Sequence, residues 1–126
     1  MSLSDYFEKT KGTGILSTAD ANGKVNAAVY SRPHIFDDGT VGFIMRERLT
    51  HANLQENPQA AYLFMESGST RQGKRLYLKK LSEEKDSDRL QQLKRRRISE
   101  DEDQAKGPKY LVIFELVDEL PLIGDK

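Results

Sequence analysis

A short basic segment in the middle of the chain combines residue types that bind phosphate. Arg46, Arg48 and Thr50 occupy alternate positions directly before HANLQEN, a stretch that can form a helix. Guanidinium groups offer paired donors that suit a phosphate dianion, and the first amides of a helix add donors and a favourable dipole. The segment is therefore a candidate phosphate site. The same pattern also fits a plain helix cap at Thr50 with two arginines on the surface.

A second polar segment lies on a predicted strand upstream, VNAAVYSRPHIF over residues 25–36. Its central residues are Tyr30, Ser31, Arg32 and Pro33. Because Pro33 cannot donate a ladder hydrogen bond, the strand is expected to bulge, bend or lie at an edge there. In the predicted meander this strand pairs with the one ending at Arg46, so the two polar segments are expected to share a groove.

The remaining pattern predicts a mainly β fold with peripheral helices. Turn signals at Asn22-Gly23 and at residues 37–40 separate the first three strands. The predicted elements are a helix over 5–11 capped by Ser4, strands over 14–20, 25–36, 41–46, 60–66, 74–81 and 109–120, and helices over 51–57 and 88–99, with loops over 67–73 and 99–108. This order predicts an antiparallel barrel decorated by helices.

Length and composition favour one domain. The chain has 126 residues, enough for one compact core, so residues 1–126 are interpreted as a single domain. Only 37% of the residues are hydrophobic and 32% are charged, so the core is expected to be modest and a dimer would enlarge it. The 20 basic and 20 acidic side chains balance, so no global field favours nucleic acid or an anionic membrane.

Several chemistries are disfavoured by residue type. The chain has no cysteine, which excludes disulfides, thiolate nucleophiles and cysteine-ligated metals and fits a cytoplasmic location. The chain contains no run of about 18 apolar residues, the length that a membrane helix requires, so no membrane helix is expected. His34 and His51 are the only histidines, and Ser31 lacks a nucleophile elbow, so neither a metal site nor a hydrolase is expected. The basic run at 94–97 fits a helix C-terminus beside acidic residues better than a nucleic-acid site.

The segment VNAAVYSRPHIFDDGTVGFIMRERLTHANLQENPQAAYLF resembles the FMN-binding core of the pyridoxamine-5′-phosphate-oxidase-like family, with similar order and turn spacing over roughly residues 10 to 82. The resemblance implies a split β-barrel homodimer with FMN between the subunits. It implies ring contacts from Val29, Tyr30, Ser31 and Arg32. It implies phosphate contacts from Arg48, Leu49 and Thr50, with Arg46 nearby. It also implies that Arg75, Leu122 and Ile123 reach across the dimer.

The resemblance further implies a flavin-dependent oxidoreductase or electron carrier. The larger oxidases of the family carry additional C-terminal basic and aromatic residues for their substrate, and the short tail here shows no equivalent, so a pyridoxal-phosphate-forming oxidase is not expected. The alternatives are a flavin-binding sensor without turnover and a cofactor-free dimer that contacts other proteins. FAD, a deazaflavin and haem are alternative ligands, because relatives on this fold use all of these.

Overall fold

The structure, a computed structural model, describes residues 2–69, 71–93 and 107–124. Ten elements follow one another along these residues. They are α1 (Leu3–Lys9), β1 (Gly12–Ala19), β2 (Val25–Val29), β3 (His34–Ile35), β4 (Val41–Arg46), α2 (Leu49–Glu56), β5 (Gln59–Glu66), β6 (Gly73–Lys85), α3 (Asp88–Gln92) and β7 (Lys109–Pro121). The prediction of a mainly antiparallel β fold with peripheral helices is confirmed.

The strands form one antiparallel sheet whose two ends are joined by a short connection. The order is β2-β1-β5-β6-β7-β4-β3, so β2 and β3 lie at opposite ends although only residues 30–33 separate them. A flat sheet of this width would span about 29 Å, whereas the chain from Val29 to His34 reaches at most about 18 Å. The sheet must therefore curve until its edges approach, which confirms the predicted barrel.

The prediction of one long strand over residues 25–36 is wrong in one respect. It is divided into β2, which pairs with β1, and β3, which pairs with β4. Only the His34–Ile35 part therefore joins the strand that ends at Arg46. The break falls at residues 30–33, where Pro33 predicted a bend, because the chain must cross there from one end of the sheet to the other.

Both predicted tight turns are confirmed. In the first, the Asp20 carboxylate accepts hydrogen bonds from the backbone N–H groups of Asn22 and Lys24, each at 2.9 Å. Gly23 there has φ +84°, a conformation that glycine adopts without strain. In the second, Asp38 accepts from the N–H and hydroxyl of Thr40, and Gly39 has φ +85°.

An aromatic cluster fills the barrel. Phe43 contacts Tyr62 and Phe114 with ring centroids 4.8 and 5.9 Å apart, and Phe7 of α1 contacts Phe64 at 5.2 Å. All five side chains are almost fully buried. Edge-to-face packing of this kind adds stability beyond the burial of apolar area. The helix α1 therefore closes one end of the core.

One expectation about local structure is corrected, and two further outcomes concern β6 and α3. The cap of α1 is Ser2, whose hydroxyl accepts from the Asp5 N–H, so the expected cap at Ser4 is wrong. Leu81, in the predicted strand over residues 74–81, is exposed, because the pairing of β6 with β7 shifts register between Lys80 and Ser82. The helix expected over 88–99 is described only for α3, capped by Ser87, and its remainder lies outside the described residues. No helix in the described ranges is long and apolar enough to cross a membrane.

Candidate cofactor cleft

An open cleft lies between the edge strand β2 and the junction of β4 with α2. Its volume is about 630 Å³, within the roughly 300–1,000 Å³ that small-molecule sites occupy. The residues lining it are Asn26, Ala27, Ala28, Val29, Tyr30, Ser31, Ile44, Met45, Arg46, Arg48, Leu49, Thr50 and Lys109. Seven of the residues that the sequence singled out are brought together here: Val29, Tyr30, Ser31, Arg46, Arg48, Leu49 and Thr50.

The α2 side of the cleft presents the start of a helix whose first turn suits an anion. The N-cap residue is Arg48, which makes no side-chain capping bond, and the first turn contains no acidic residue. Thr50 is buried inside this turn, so the expectation that Thr50 caps the helix is wrong. The first amides of a helix lack intrahelical acceptors and carry the positive end of the helix dipole. This end of the cleft therefore favours negative charge.

Two further cations come from neighbouring strands. Arg46 ends β4, and its Nη1 donates to the Gly107 carbonyl at 2.7 Å. Lys109 begins β7 directly opposite Arg46 in the antiparallel register and is only 6% exposed. Sequence reasoning missed Lys109. The sequence shows only that Lys109 is the first residue of a predicted strand. Its place beside the cleft follows from the pairing of β7 with β4, which joins residues more than sixty positions apart.

Tyr30 links the two sides of the cleft. Burial raises the pKa of its phenol, and a hydrogen bond with Thr50 and the charge of Arg48 act against that rise. The ring also packs edge-on against Phe43 at 6.1 Å. The phenol therefore lies at the cationic end of the cleft, whereas the resemblance implied a contact with the flavin ring for this residue.

The opposite side of the cleft is the outer edge of β2. Among the described strands β2 pairs with β1 alone, and Val29 is 77% exposed. Its C-terminal end is fixed from the core, because the Tyr62 hydroxyl lies 3.2 Å from the carbonyl oxygens of both Tyr30 and Ser31. A Cβ on Gly14 would overlap the Tyr62 hydroxyl, so glycine is required at this position of β1.

A hydrogen-bond network on β6 holds α2 in place. The Glu83 carboxylate lies 3.1 Å from His51 Nε2, 2.9 Å from Gln55 Nε2 and 2.7 Å from Lys80 Nζ. Burial alone would raise the pKa of Glu83, but the hydrogen bonds from Lys80, Gln55 and His51 outweigh it and lower the pKa to about 2. The His51 ring also stacks on Tyr110 with centroids 3.9 Å apart. The cationic end of the cleft therefore rests on a fixed support.

The other four residues predicted for the site lie elsewhere. Arg32 is not among the cleft-lining residues, and its Nη1 donates to the carbonyls of Phe7 at 2.8 Å and Thr10 at 3.2 Å, at the end of α1. Arg75 donates to the carbonyls of Pro121 and Gly124, each at 2.8 Å. It therefore holds the segment that carries Leu122 and Ile123. Whether these last three residues reach a second subunit stays a prediction.

Comparisons with known proteins agree on the fold. No family model matches the chain, and no curated protein sequence matches it. The structure of an FMN-binding protein from Syntrophomonas wolfei subsp. wolfei is similar with a TM-score of 0.75 and 21% sequence identity, and the match covers 98% of this chain and 85% of that one. An F420 reductase matches with a TM-score of 0.72 and 12% identity over 95% of this chain and 98% of its own chain. A putative pyridoxamine 5′-phosphate oxidase from Lactobacillus delbrueckii matches with a TM-score of 0.67 and 10% identity over 95% of this chain and 93% of its own chain.

These similarities confirm, at the level of the fold, the resemblance that the sequence indicated. The chain has the split-barrel fold of the pyridoxamine-5′-phosphate-oxidase-like proteins, with a seven-stranded antiparallel sheet and few helices. The similarity extends over nearly the whole chain, well beyond residues 10 to 82.

Proposed function

We propose that the cleft binds FMN and that the protein is a flavin-dependent oxidoreductase or electron carrier. The observation that carries the proposal is the division of the cleft into a cationic end and an apolar end. One end gathers Arg46, Arg48, Lys109 and the start of α2, and the other is an open edge strand with apolar side chains. A phosphate joined to a flat heterocycle fits this division.

The cationic end fits the phosphate. Arg48 is exposed and adjoins the first turn of α2, so its guanidinium and the helix amides can bind one phosphate together. Arg46 donates to the Gly107 carbonyl, and Arg48 is the more exposed of the two arginines. The phenol of Tyr30 beside Thr50 adds a further polar group at this end.

The β2 edge fits the ring. An extended edge strand offers alternating N–H and C=O groups, and the pyrimidine edge of a flavin presents the complementary alternation of acceptors and donors. Val29 and Leu49 are exposed apolar side chains on opposite sides of the cleft, placed to cover the ring system. The names of two similar structures, an FMN-binding protein and an F420 reductase, support a flavin or a related deazaflavin as the ligand.

When bound, FMN supplies the redox chemistry, and the protein contributes binding and orientation. Ser31 lies on the ring side of the cleft, where its hydroxyl can donate to a ring heteroatom. A cytoplasmic location and the absence of a nucleic-acid partner stay predictions from the sequence.

A homodimer is part of the proposal. Val25 and Val29 are each 77% exposed and lie four positions apart on the same face of β2, beside the cleft. A second copy packed on this face would cover apolar area and exclude water from the ring. Sedimentation velocity of the wild-type protein and of V25K tests this, because a charge there is expected to shift the protein towards monomer.

The first experiment is a titration of the purified protein with FMN, followed by flavin fluorescence, with riboflavin as the matched ligand that lacks the phosphate. We expect R48Q to weaken FMN binding about tenfold to a hundredfold, since a hydrogen bond to a charged group is lost. Riboflavin binding is expected to change little. The control is R71Q, an exposed arginine outside the cleft, which leaves both affinities unchanged.

Two results would overturn the proposal or narrow it. A protein that takes up neither FMN nor riboflavin is not a flavoprotein, and uptake of a deazaflavin or haem in their place would change the ligand. An FMN-loaded protein that no reduced nicotinamide cofactor or other electron donor reduces would favour the sensor alternative over the oxidoreductase.

A further inference from the structure

The tip of the β1–β2 hairpin carries a reactive pair of residues. Asn22 is followed by Gly23, whereas the other asparagines of the chain, Asn26, Asn53 and Asn57, are followed by alanine, leucine and proline. An asparagine side chain loses ammonia when the backbone nitrogen of the next residue attacks its Cγ atom. A following glycine leaves that approach open because it has no Cβ and turns freely. By its sequence neighbour, Asn22 is the asparagine that reacts most readily.

The structure separates Asn22 from the other asparagines. Asn22 is exposed, and within the described ranges its side chain forms no hydrogen bond. Asn53 is 4% exposed inside α2, and its amide donates to a threonine hydroxyl at 3.1 Å. The backbone of Asn26 is held in the β1–β2 ladder. The residue after Asn57 is Pro58, whose nitrogen carries no hydrogen and is not available for the attack.

The second tight turn provides a comparison within the same chain, because an aspartate before glycine can react by the same route. Gly39 has φ +85° and Gly23 has φ +84°, so the two glycines have the same conformation. The Asp38 carboxylate, however, accepts from the hydroxyl of Thr40 at 2.6 Å and from its N–H at 2.9 Å. These hydrogen bonds lower the pKa of Asp38 below its ordinary value. An ionised carboxylate is a poor electrophile, whereas the Asn22 amide is uncharged.

The hairpin also contains the hydrogen bonds that control the reaction. The Gly23 N–H donates to the Asp20 carbonyl at 3.1 Å, and this bond must open before the nitrogen reaches the Asn22 side chain. The Asp20 carboxylate accepts from the N–H groups of Asn22 and Lys24, each at 2.9 Å, and so holds the turn closed. Exposed turns open locally at a much lower free energy than the core. The turn therefore slows the reaction without preventing it.

We propose that Asn22 is a site of spontaneous modification, at which asparagine is converted to aspartate and isoaspartate. The Gly23 nitrogen forms a bond to Cγ of Asn22 and gives up its proton, and the side-chain nitrogen leaves as ammonia. The product is a cyclic imide. Water then opens the imide: cleavage at Cγ leaves aspartate, and cleavage at the main-chain carbonyl leaves isoaspartate, whose main chain runs through Cβ and Cγ. Solvent water is the only co-reactant.

The modification lies where it can alter the cleft. Strand β2 follows the turn directly, the Asp20 N–H donates to the Lys24 carbonyl at 3.0 Å, and residues 26–31 line the cleft. Isoaspartate lengthens the main chain of the turn, and the turn sets the register of a hairpin. Both products add a negative charge near the carboxylates of Asp20 and Glu56, and Glu56 accepts from the Ala21 N–H at 3.4 Å. The isoaspartate form is therefore expected to loosen β2.

The test incubates the wild-type protein, N22Q and D20A at mildly alkaline pH and follows their peptides by mass spectrometry. We expect the wild-type peptide that contains Asn22 to gain the mass of an amide-to-acid exchange and to become a substrate for an isoaspartate methyltransferase. The peptides that contain Asn26, Asn53 and Asn57 are the controls within the chain and are expected to keep their mass. N22Q is expected to stay unmodified. D20A is expected to react about threefold to tenfold faster, because hydrogen bonds that close the turn are lost.

A urea-unfolded sample of the wild-type chain covers the case in which D20A does not fold. If the unfolded chain is modified at Asn22 and the folded protein is not, the turn blocks the reaction and the proposal is wrong. Modification of the folded protein at another asparagine before Asn22 overturns it as well. Amide hydrogen exchange measures the effect on β2, with N22D as the control that adds the charge without lengthening the main chain. We expect faster exchange over residues 25–29 in the isoaspartate form than in N22D, and equal rates would overturn the link to the cleft.

Discussion

The two sides of the cleft are built in different ways. The α2 side rests on buried supports, because Leu54 lies in the core and the Asn53 amide donates to the buried Thr18 hydroxyl at 3.1 Å. The β2 side has a single neighbouring strand and exposes Val25 and Val29. The difference indicates that the cationic end is preformed, whereas the β2 end is open; in the proposed function a ligand or a second subunit completes it.

The largest effect is expected where the α2 side enters the core. L54A removes a side chain that is 3% exposed and is expected to lower the free energy of unfolding by about 2–5 kcal/mol, because it leaves a cavity. Urea unfolding followed by circular dichroism measures it. A loss below about 1 kcal/mol would show that α2 is held mainly by its polar contacts.

A smaller loss is expected at the connection that follows the β2 side. Arg32 bonds the last carbonyls of α1, so R32A is expected to cost about 1.5–3 kcal/mol, the range for hydrogen bonds to a charged group. Because Arg32 is not among the cleft-lining residues, the ratio of FMN to riboflavin affinity is expected to stay unchanged. A changed ratio would place Arg32 at the ring, as the resemblance implied.

The support under α2 is expected to depend on pH through Glu83. The pKa of Glu83 falls from 4.5 to about 2 in the folded protein, so its ionised form stabilises the fold. This contribution is fully present above about pH 4.5 and is lost as the pH falls towards 2. E83Q is expected to unfold at lower urea than wild type at pH 6, with the gap narrowing towards pH 3. A gap independent of pH would contradict the assignment.

The smallest effect on stability is expected on the β2 side. V29A changes a side chain that is 77% exposed, so the free energy of unfolding is expected to change by less than about 0.5 kcal/mol. Riboflavin and FMN affinities are nevertheless expected to fall together, because both ligands lose the same apolar contact. A large loss of stability in a dilute, ligand-free sample would show that the Val29 side chain is already packed against other residues without ligand.

The sequence signals around the cleft are local. The succession of Arg46, Arg48 and Thr50 at the start of a helix depends on neighbours along the chain. Tyr30 and Ser31 were predicted on a strand and lie in the connection directly after β2. Turn chemistry at Asn22-Gly23 then determined where the first hairpin folds. Such signals are short-range, and seven of the eleven residues predicted for the site line the cleft.

The contributions that sequence reasoning missed come from distant pairing. Lys109 joins the cleft only because β7 pairs with β4, and that register is set by the closed sheet. Arg32 lies outside the cleft because the chain crosses from β2 to β3 beside the end of α1. Leu81 lies outside the core because of one register shift in β6. None of these three outcomes depends on a motif that can be found along the chain.

The place of β7 in the sheet also has a consequence for folding order. Among the described strands it lies between β6 and β4, and it connects the group β2-β1-β5-β6 to the pair β4-β3 by hydrogen bonds. Its partner β4 precedes it by about sixty residues, and such non-local pairing slows folding. During synthesis the cationic end of the cleft cannot assemble until β7 has emerged and paired with β4. Binding of the proposed cofactor is therefore expected only after this strand has been synthesised.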